Sequence, residues 1–236
     1  MFGKFSLFKA PIKPYTDERG VRVQAELRPV CEVDILYVWT MIRQEEGQLA
    51  EETRRLRLLE GEKARREWKS TRLPYVTPCG VFSRRGAKYV ERLSGLVVLD
   101  IDHLDSLEEA CAVRDRLFDD ARLRPLLAFV SPSGRGVKLL VPYVKRASHE
   151  VGCPSSVAEF ERSGWQPTEA NLATVSEQIL AGMTYLNTLL GSDALHGLTQ
   201  RQVECDFSGK DVSRACFLCH DPGVRGREFG AKEGYV

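Results

Sequence analysis

The chain lacks any stretch approaching the ~18 consecutive apolar residues of a membrane-spanning helix, which removes helical integral membrane proteins from consideration. Its start, Met1 to Lys13, alternates short apolar runs with lysines and has no export-signal core, so a cytoplasmic protein is expected. Charge of one sign is lacking as well. The 34 Lys and Arg nearly cancel the 33 Asp and Glu, so any basic groove for a polyanion must come from local clustering rather than global charge. The seven cysteines are odd in number and scattered through a chain long enough to fold without staples, which predicts reduced thiols. A Walker A loop is missing, because Gly134-Arg135-Gly136 is not followed by Lys-Ser or Lys-Thr. Ser131 and Ser133 lack the Gly-x-Ser-x-Gly context of a hydrolase nucleophile. Cys216-Phe217-Leu218-Cys219-His220 spells a c-type haem attachment pattern, but without an export signal it reads as core thiols on a strand. A zinc site drawing on Cys216 and Cys219 is disfavoured because residues three apart on a strand face opposite sides.

What is present is an α/β pattern in 236 residues, 43% of them hydrophobic, enough for one sizeable globular unit. Phe5 to Phe8 and Val21 to Leu27 read as short strands around a turn at Asp17 to Gly20, and Val33 to Arg43 as a helix. Gln48 to Lys69 reads as one charge-dense helix, either solvated and held by i,i+4 ion pairs or turned toward phosphate. Strands are expected at Tyr75 to Phe82, Leu96 to Ile101, Leu127 to Val130 and Val137 to Val141, with a helix near Ser106 to Phe118. Lys145 to Gln166 carries no periodicity and reads as a long loop or lid. A helix from Thr168 to Leu190, a strand at Gln202 to Asp206, a turn at Ser208 to Lys210 and a strand at Arg214 to Leu218 follow.

Three segments carry chemistry. In Leu96-Val97-Val98-Leu99-Asp100-Ile101-Asp102, the two aspartates are i and i+2 on a strand and so share a face; hard oxygen donors so placed suit Mg²⁺ or Mn²⁺. In Ser131-Pro132-Ser133-Gly134-Arg135-Gly136-Val137-Lys138, glycines let backbone amides approach an anion, while Ser133, Arg135 and Lys138 add donors and charge. The same segment also reads as a hairpin turn that needs glycine for positive φ. In the third segment, Asp206 ends a short strand and Arg214 follows as a candidate phosphate or sugar contact.

In order, these segments resemble the archaeo-eukaryotic primase superfamily, in particular the primase-polymerases of mobile elements with a VirE-type N-terminal domain. The resemblance takes in Lys69 and Leu73-Pro74 through Gly80-Val81-Phe82 and runs to about Pro222. It implies a central, largely antiparallel sheet of the RNA-recognition-motif kind, flanked by helices and joined by an N-terminal α/β subdomain. The divisions are 1–72 for that subdomain, 73–225 for the catalytic core and 226–236 for a linker to a C-terminal helicase-like module. It further implies that Asp100, Asp102 and Asp206 bind two divalent ions, Mg²⁺ or Mn²⁺. Ser133, Gly134, Arg135, Gly136, Lys138 and Arg214 would hold nucleotide phosphates; Lys69 and Arg72 are weaker candidates for single-stranded DNA template. Many superfamily members carry histidine where this chain has Lys138, which keeps the cation and forfeits a neutral imidazole. Two other functions stay open: a degenerate primase-like domain that binds single-stranded nucleic acid or nucleotide without synthesis, and an Asp-x-Asp nucleotidyl- or glycosyltransferase working without template.

Overall fold

The structure is a computed structural model that describes residues 3–142, 166–192, 199 and 211–227. The expected strand at 202–206 and turn at 208–210 lie outside the described residues, as does the expected loop except for Gln166 and the linker except for Gly226 and Arg227.

The architecture is α+β and rests on two four-stranded antiparallel sheets. In the first, β1 (Phe5–Phe8) lies between β4 (Cys31–Val33) and β5 (Tyr75–Thr77), and β11 (Cys216–Phe217) pairs with the far side of β5. All four residues of β1 are buried: Phe5, Leu7 and Phe8 supply the apolar surface of an inner strand, and the Ser6 hydroxyl accepts from the Phe82 amide (2.9 Å). Opposite one another in the β1–β5 ladder, Phe8 and Tyr75 stack with ring centroids 4.9 Å apart. The divide expected after residue 72 runs through this sheet, since β5 and β11 come from beyond it.

The second sheet has the order β12 (Arg225–Gly226), β9 (Leu127–Val130), β10 (Gly136–Pro142), β8 (Leu96–Asp102). With α4 (Leu107–Phe118) linking β8 to β9 and β10 inserted between them, it contains a split β-α-β unit. One face, including Val97, Leu99, Ile101 and Leu139, packs with Val113 and Leu117 of α4 and with Ile179 and Met183 of α5 (Glu169–Leu190). On the other, Leu96, Val98, Phe129 and Leu140 pack with Phe5, Leu7 and Val76 of the first sheet and with Val38 and Ile42 of α1 (Ile35–Arg43). Burial on both faces explains why β8 reads Leu-Val-Val-Leu rather than alternating, and each such side chain contributes roughly 1.5–3 kcal/mol. Caps set the helix starts. Asp34 accepts from the Tyr37 amide (2.8 Å), Ser106 from Glu109 (3.1 Å) and Thr168 from Asn171 (3.3 Å), each contributing about 1 kcal/mol.

Several expected elements are subdivided. The single helix over 48–69 is two, α2 (Gln48–Leu58) and α3 (Glu62–Arg72), because Leu59 turns extended and its carbonyl accepts from Arg65 (3.0 Å). The outer face of the pair carries the i,i+4 contacts Glu51–Arg55 and Glu62–Arg66, while Trp68 Nε1 donates to the Glu52 carbonyl (3.2 Å) to hold α3 against α2. The strand expected over 75–82 is β5 and β6 (Gly80–Phe82), divided at Pro78, and β6 pairs with β7 (Val90–Leu93). Of the strand expected at 21–27, only β3 (Arg22–Val23) forms, paired with β2 (Tyr15–Thr16); beyond it Glu26 and Leu27 bond instead to Pro11 and Arg85. Helix α1 begins at Ile35, two residues late, because Val33 belongs to β4 and Asp34 is the cap.

Candidate functional site

The antiparallel register of β8 and β10 sets Lys138 opposite Asp100 and Gly136 opposite Asp102. Residues opposite each other in a ladder share a face, so this register brings an ammonium to a carboxylate across 38 positions of chain. Lys138 Nζ lies 2.7 Å from Asp100 Oδ1. Arg214 takes the other oxygen, with Nε 2.9 Å and Nη2 2.7 Å from Oδ2. The side chains of Asp100, Lys138 and Arg214 are 4%, 10% and 14% exposed. Burial by itself would push the Asp100 carboxyl up, but Lys138 and Arg214 outweigh it and hold the group below the ordinary carboxylate range. Burial would likewise lower the Lys138 ammonium, and Asp100 overcomes it, so that cation stays charged at any physiological pH.

Asp102 lies two residues on, on the same face, half-buried, and its carboxylate makes no hydrogen bond or ion pair among the described residues. Next comes the turn Ser131 to Gly136. Gly134 has φ 74°, which only glycine adopts without strain. At Gly136 a Cβ would stand 2.3 Å from the Ile101 carbonyl oxygen, so the close approach of β10 to the end of β8 excludes any side chain. Three amides of this turn are engaged internally: Ser131 to the Gly136 carbonyl (2.8 Å), Gly134 to the Ser131 carbonyl (2.9 Å), Arg135 to the Ser133 hydroxyl (3.3 Å). Arg57 of α2 braces the turn from outside, donating to the carbonyls of Pro132 (3.4 Å) and His220 (3.2 Å).

These groups border a cavity of about 480 Å³ between the two sheets. Among the described residues its cations are Lys13, Lys69, Arg85, Lys138 and Arg214, and its carboxylates Asp100, Asp102 and Asp211, an excess of two positive charges there. Asp211 also shapes the wall, since its carbonyl accepts from the Arg214 amide (3.0 Å) and its carboxylate from the Ser213 amide (2.7 Å). Lys69, at the end of α3, sits with Nζ 5.5 Å from the centre of the Phe217 ring; burial and then Lys138 lower its pKa.

Among the residues expected from sequence, the structure therefore gathers Asp100, Asp102, Ser133, Lys138, Arg214 and Lys69 around one cavity. Gly134 and Gly136 build the turn behind it. Arg135 is exposed and does not border the cavity, and Arg72 lies on the Trp68 ring (5.5 Å) beside a separate hollow lined by Phe8, Leu73 and Pro74. Asp206 lies outside the described residues. Among the described residues no three His, Cys, Asp or Glu side chains converge as a metal site. Cys216 and Cys219 are buried free thiols, the latter donating to the Val130 carbonyl (3.0 Å). Sequence reasoning missed Lys13, Arg57, Arg85, Asp211 and Phe217. Asp211 and Phe217 stood near a recognised segment and Arg57 within the charge-dense one, while nothing local marks Lys13 or Arg85.

Fold and site together define an α+β protein whose two antiparallel sheets enclose a cation-rich cavity floored by a buried Asp-Lys-Arg triad. The chain belongs to the BT4734-like, N-terminal domain family, whose model matches residues 69–224, a span that holds β8, the glycine turn and Arg214. Neither a curated protein nor a solved structure matches the chain.

Proposed function

We propose that this chain is a nucleotidyltransferase of the primase-polymerase type, joining nucleoside triphosphates on a single-stranded DNA template in the cavity between its two sheets. One observation carries the reading. Two carboxylates leave one face of β8 into a cavity with an excess of positive charge, the combination that positions a polyanionic substrate for phosphoryl transfer.

A divalent cation, Mg²⁺ or Mn²⁺, fits the donor set in part. Asp102 presents a half-buried carboxylate with no partner among the described residues, and Asp100 stands on the same face with both oxygens already bonded. Asp102 would be the principal ligand and Asp100 would share an oxygen with its cations; Asp206 is the expected third ligand. Such an ion supplies charge neutralisation at a reacting phosphate when bound. The chain's own contribution is to hold Asp100 ionised and oriented through Lys138 and Arg214, and to exclude bulk water from the cavity floor. A C-terminal helicase-like module is the partner this reading implies.

The saturation of Asp100 by two cations favours a second reading, a primase-like domain that binds nucleotide or single-stranded DNA without synthesis. A primer-synthesis assay on single-stranded template with Mg²⁺ or Mn²⁺ separates them. The enzyme reading expects product from the wild type and its loss in Asp102→Asn and in Asp100→Ala/Asp102→Ala. Binding without product supports the second reading, and equal product from wild type and Asp102→Asn removes the active site as assigned. Sugar-nucleotide turnover without template would point to a glycosyltransferase.

A further inference from the structure

The cations around the cavity are of two kinds. Lys138 and Arg214 are bonded to Asp100. Lys13, Lys69 and Arg85 form no ion pair among the described residues, and Nη1 of Arg85 is buried without a hydrogen-bond partner there. A buried guanidinium N–H without an acceptor is unfavourable, so an anion that supplies one is bound with advantage there. Lys69 and Arg85 lean on one aromatic wall. Arg85 lies 5.2 Å from the centre of the Tyr75 ring and Lys69 5.5 Å from that of Phe217, and those two rings tilt together with centroids 5.6 Å apart. Tyr75 and Phe217 belong to β5 and β11, so this wall is the first sheet; Asp100 and Lys138 stand on β8 and β10 of the second. Across the cavity, the glycine turn has the amides of Ser131, Gly134 and Arg135 bonded within itself, and Arg135 points away.

We infer that Lys69 and Arg85 form the phosphate subsite of the cavity and hold the polyphosphate of a nucleoside triphosphate against the first sheet. The inference rests on the nucleotidyl-transfer reading for the identity of the anion, and it moves the phosphates from the glycine turn to the opposite wall. The described lining carries more cations than carboxylates, and the unbonded guanidinium offers a fork of donors that matches phosphate oxygens. A phosphate of a DNA strand has the same chemistry, so the test must tell the two sources apart.

The test is calorimetric titration with inorganic tripolyphosphate, with dATP and with a single-stranded oligonucleotide bearing a 5′-hydroxyl, all in EDTA. Wild type is expected to bind tripolyphosphate, which displaces dATP and leaves the oligonucleotide bound. Arg85→Gln and Lys69→Gln are each expected to weaken tripolyphosphate binding by roughly 10- to 100-fold, the loss of one charge-assisted contact. Thermal unfolding of each variant accompanies the titration. Lys69→Gln removes no hydrogen bond within the described residues, so it decides the matter if Arg85→Gln does not fold. The inference is overturned if wild type does not bind tripolyphosphate, if folded variants bind it as wild type does, if Arg135→Gln abolishes binding instead, or if tripolyphosphate displaces the oligonucleotide rather than dATP. Loss of binding in Arg85→Gln alongside a wild type that makes no primer would retire the polymerase reading and leave the subsite standing.

Discussion

Replacing Asp100 by Asn removes a carboxylate that buried Lys138 and Arg214 both bond. Lys138 and Arg214, 10% and 14% exposed, would keep their charges in a site that water barely reaches. Breaking a buried pair by deleting one partner costs about 3–5 kcal/mol, because the remaining charge is left desolvated and uncompensated. In a domain of this size each kcal/mol moves the melting temperature by about 2–4 °C, so Asp100→Asn should melt roughly 6–20 °C below wild type at pH 7. Asp102→Asn, which alters a half-buried carboxylate without a partner among the described residues, should fall within about 0.5 kcal/mol of wild type. Acid adds a second signature. The Asp100 carboxyl is held below its ordinary value, so its stabilisation is complete above the unfolded-state pKa, about 3.9, and is lost as pH falls through the lower folded-state value. Wild type should therefore lose stability more steeply than Asp100→Asn below about pH 4, and the two melting temperatures should converge. Scanning calorimetry from pH 7 to pH 2.5, with urea melts as a check, reads both effects. Equal melting temperatures for Asp100→Asn and wild type at pH 7, or a larger loss in Asp102→Asn, would refute the account of the triad.

Other substitutions probe the frame around the cavity. Gly136→Ala forces a methyl to within 2.3 Å of the Ile101 carbonyl oxygen, so β8 and β10 must part, and urea unfolding should show a loss of about 1–3 kcal/mol. Asp221 accepts from Arg114 Nη1 (2.9 Å), the Val130 amide (2.7 Å) and the Gly223 amide (3.0 Å); Asp221→Asn should cost about 3–5 kcal/mol in the same assay. Alkylation at pH 8, mapped by mass spectrometry, should modify exposed Cys31 and spare Cys79, Cys216 and Cys219, whose thiols burial pushes up to about 12, until denaturant is added.

Local signals in the sequence went far. The apolar run ending in Asp-x-Asp, the bounds of β9, and the helix closed by Thr168 and Gly191 all follow from periodicity and caps that act over a few residues. The break at Leu59 escaped because charge density continues unchanged on both sides of it. The triad escaped for a deeper reason. That Lys138 faces Asp100 depends on the register between β8 and β10, and Arg214 arrives from a turn 114 positions after Asp100; neither relation leaves a mark in local pattern. The resemblance implies a phosphate contact for Lys138, and the register adds a partner it did not mark, the Asp100 carboxylate. Arg85 and Lys13 reach the cavity only because the first sheet closes against the second.

The family's span begins at Lys69, yet the middle strand of the first sheet is β1, and the brace on the glycine turn is Arg57. Cutting the chain at the start of the matched span would strip β5 of its inner neighbour, uncover Val76 and Phe129, and remove the Arg57 side chain that ties the carbonyls of Pro132 and His220. The matched span and the hydrogen-bonded sheet therefore have different limits. An expression design for this protein should follow the hydrogen-bonded sheet and carry residues 3–68 along with the rest.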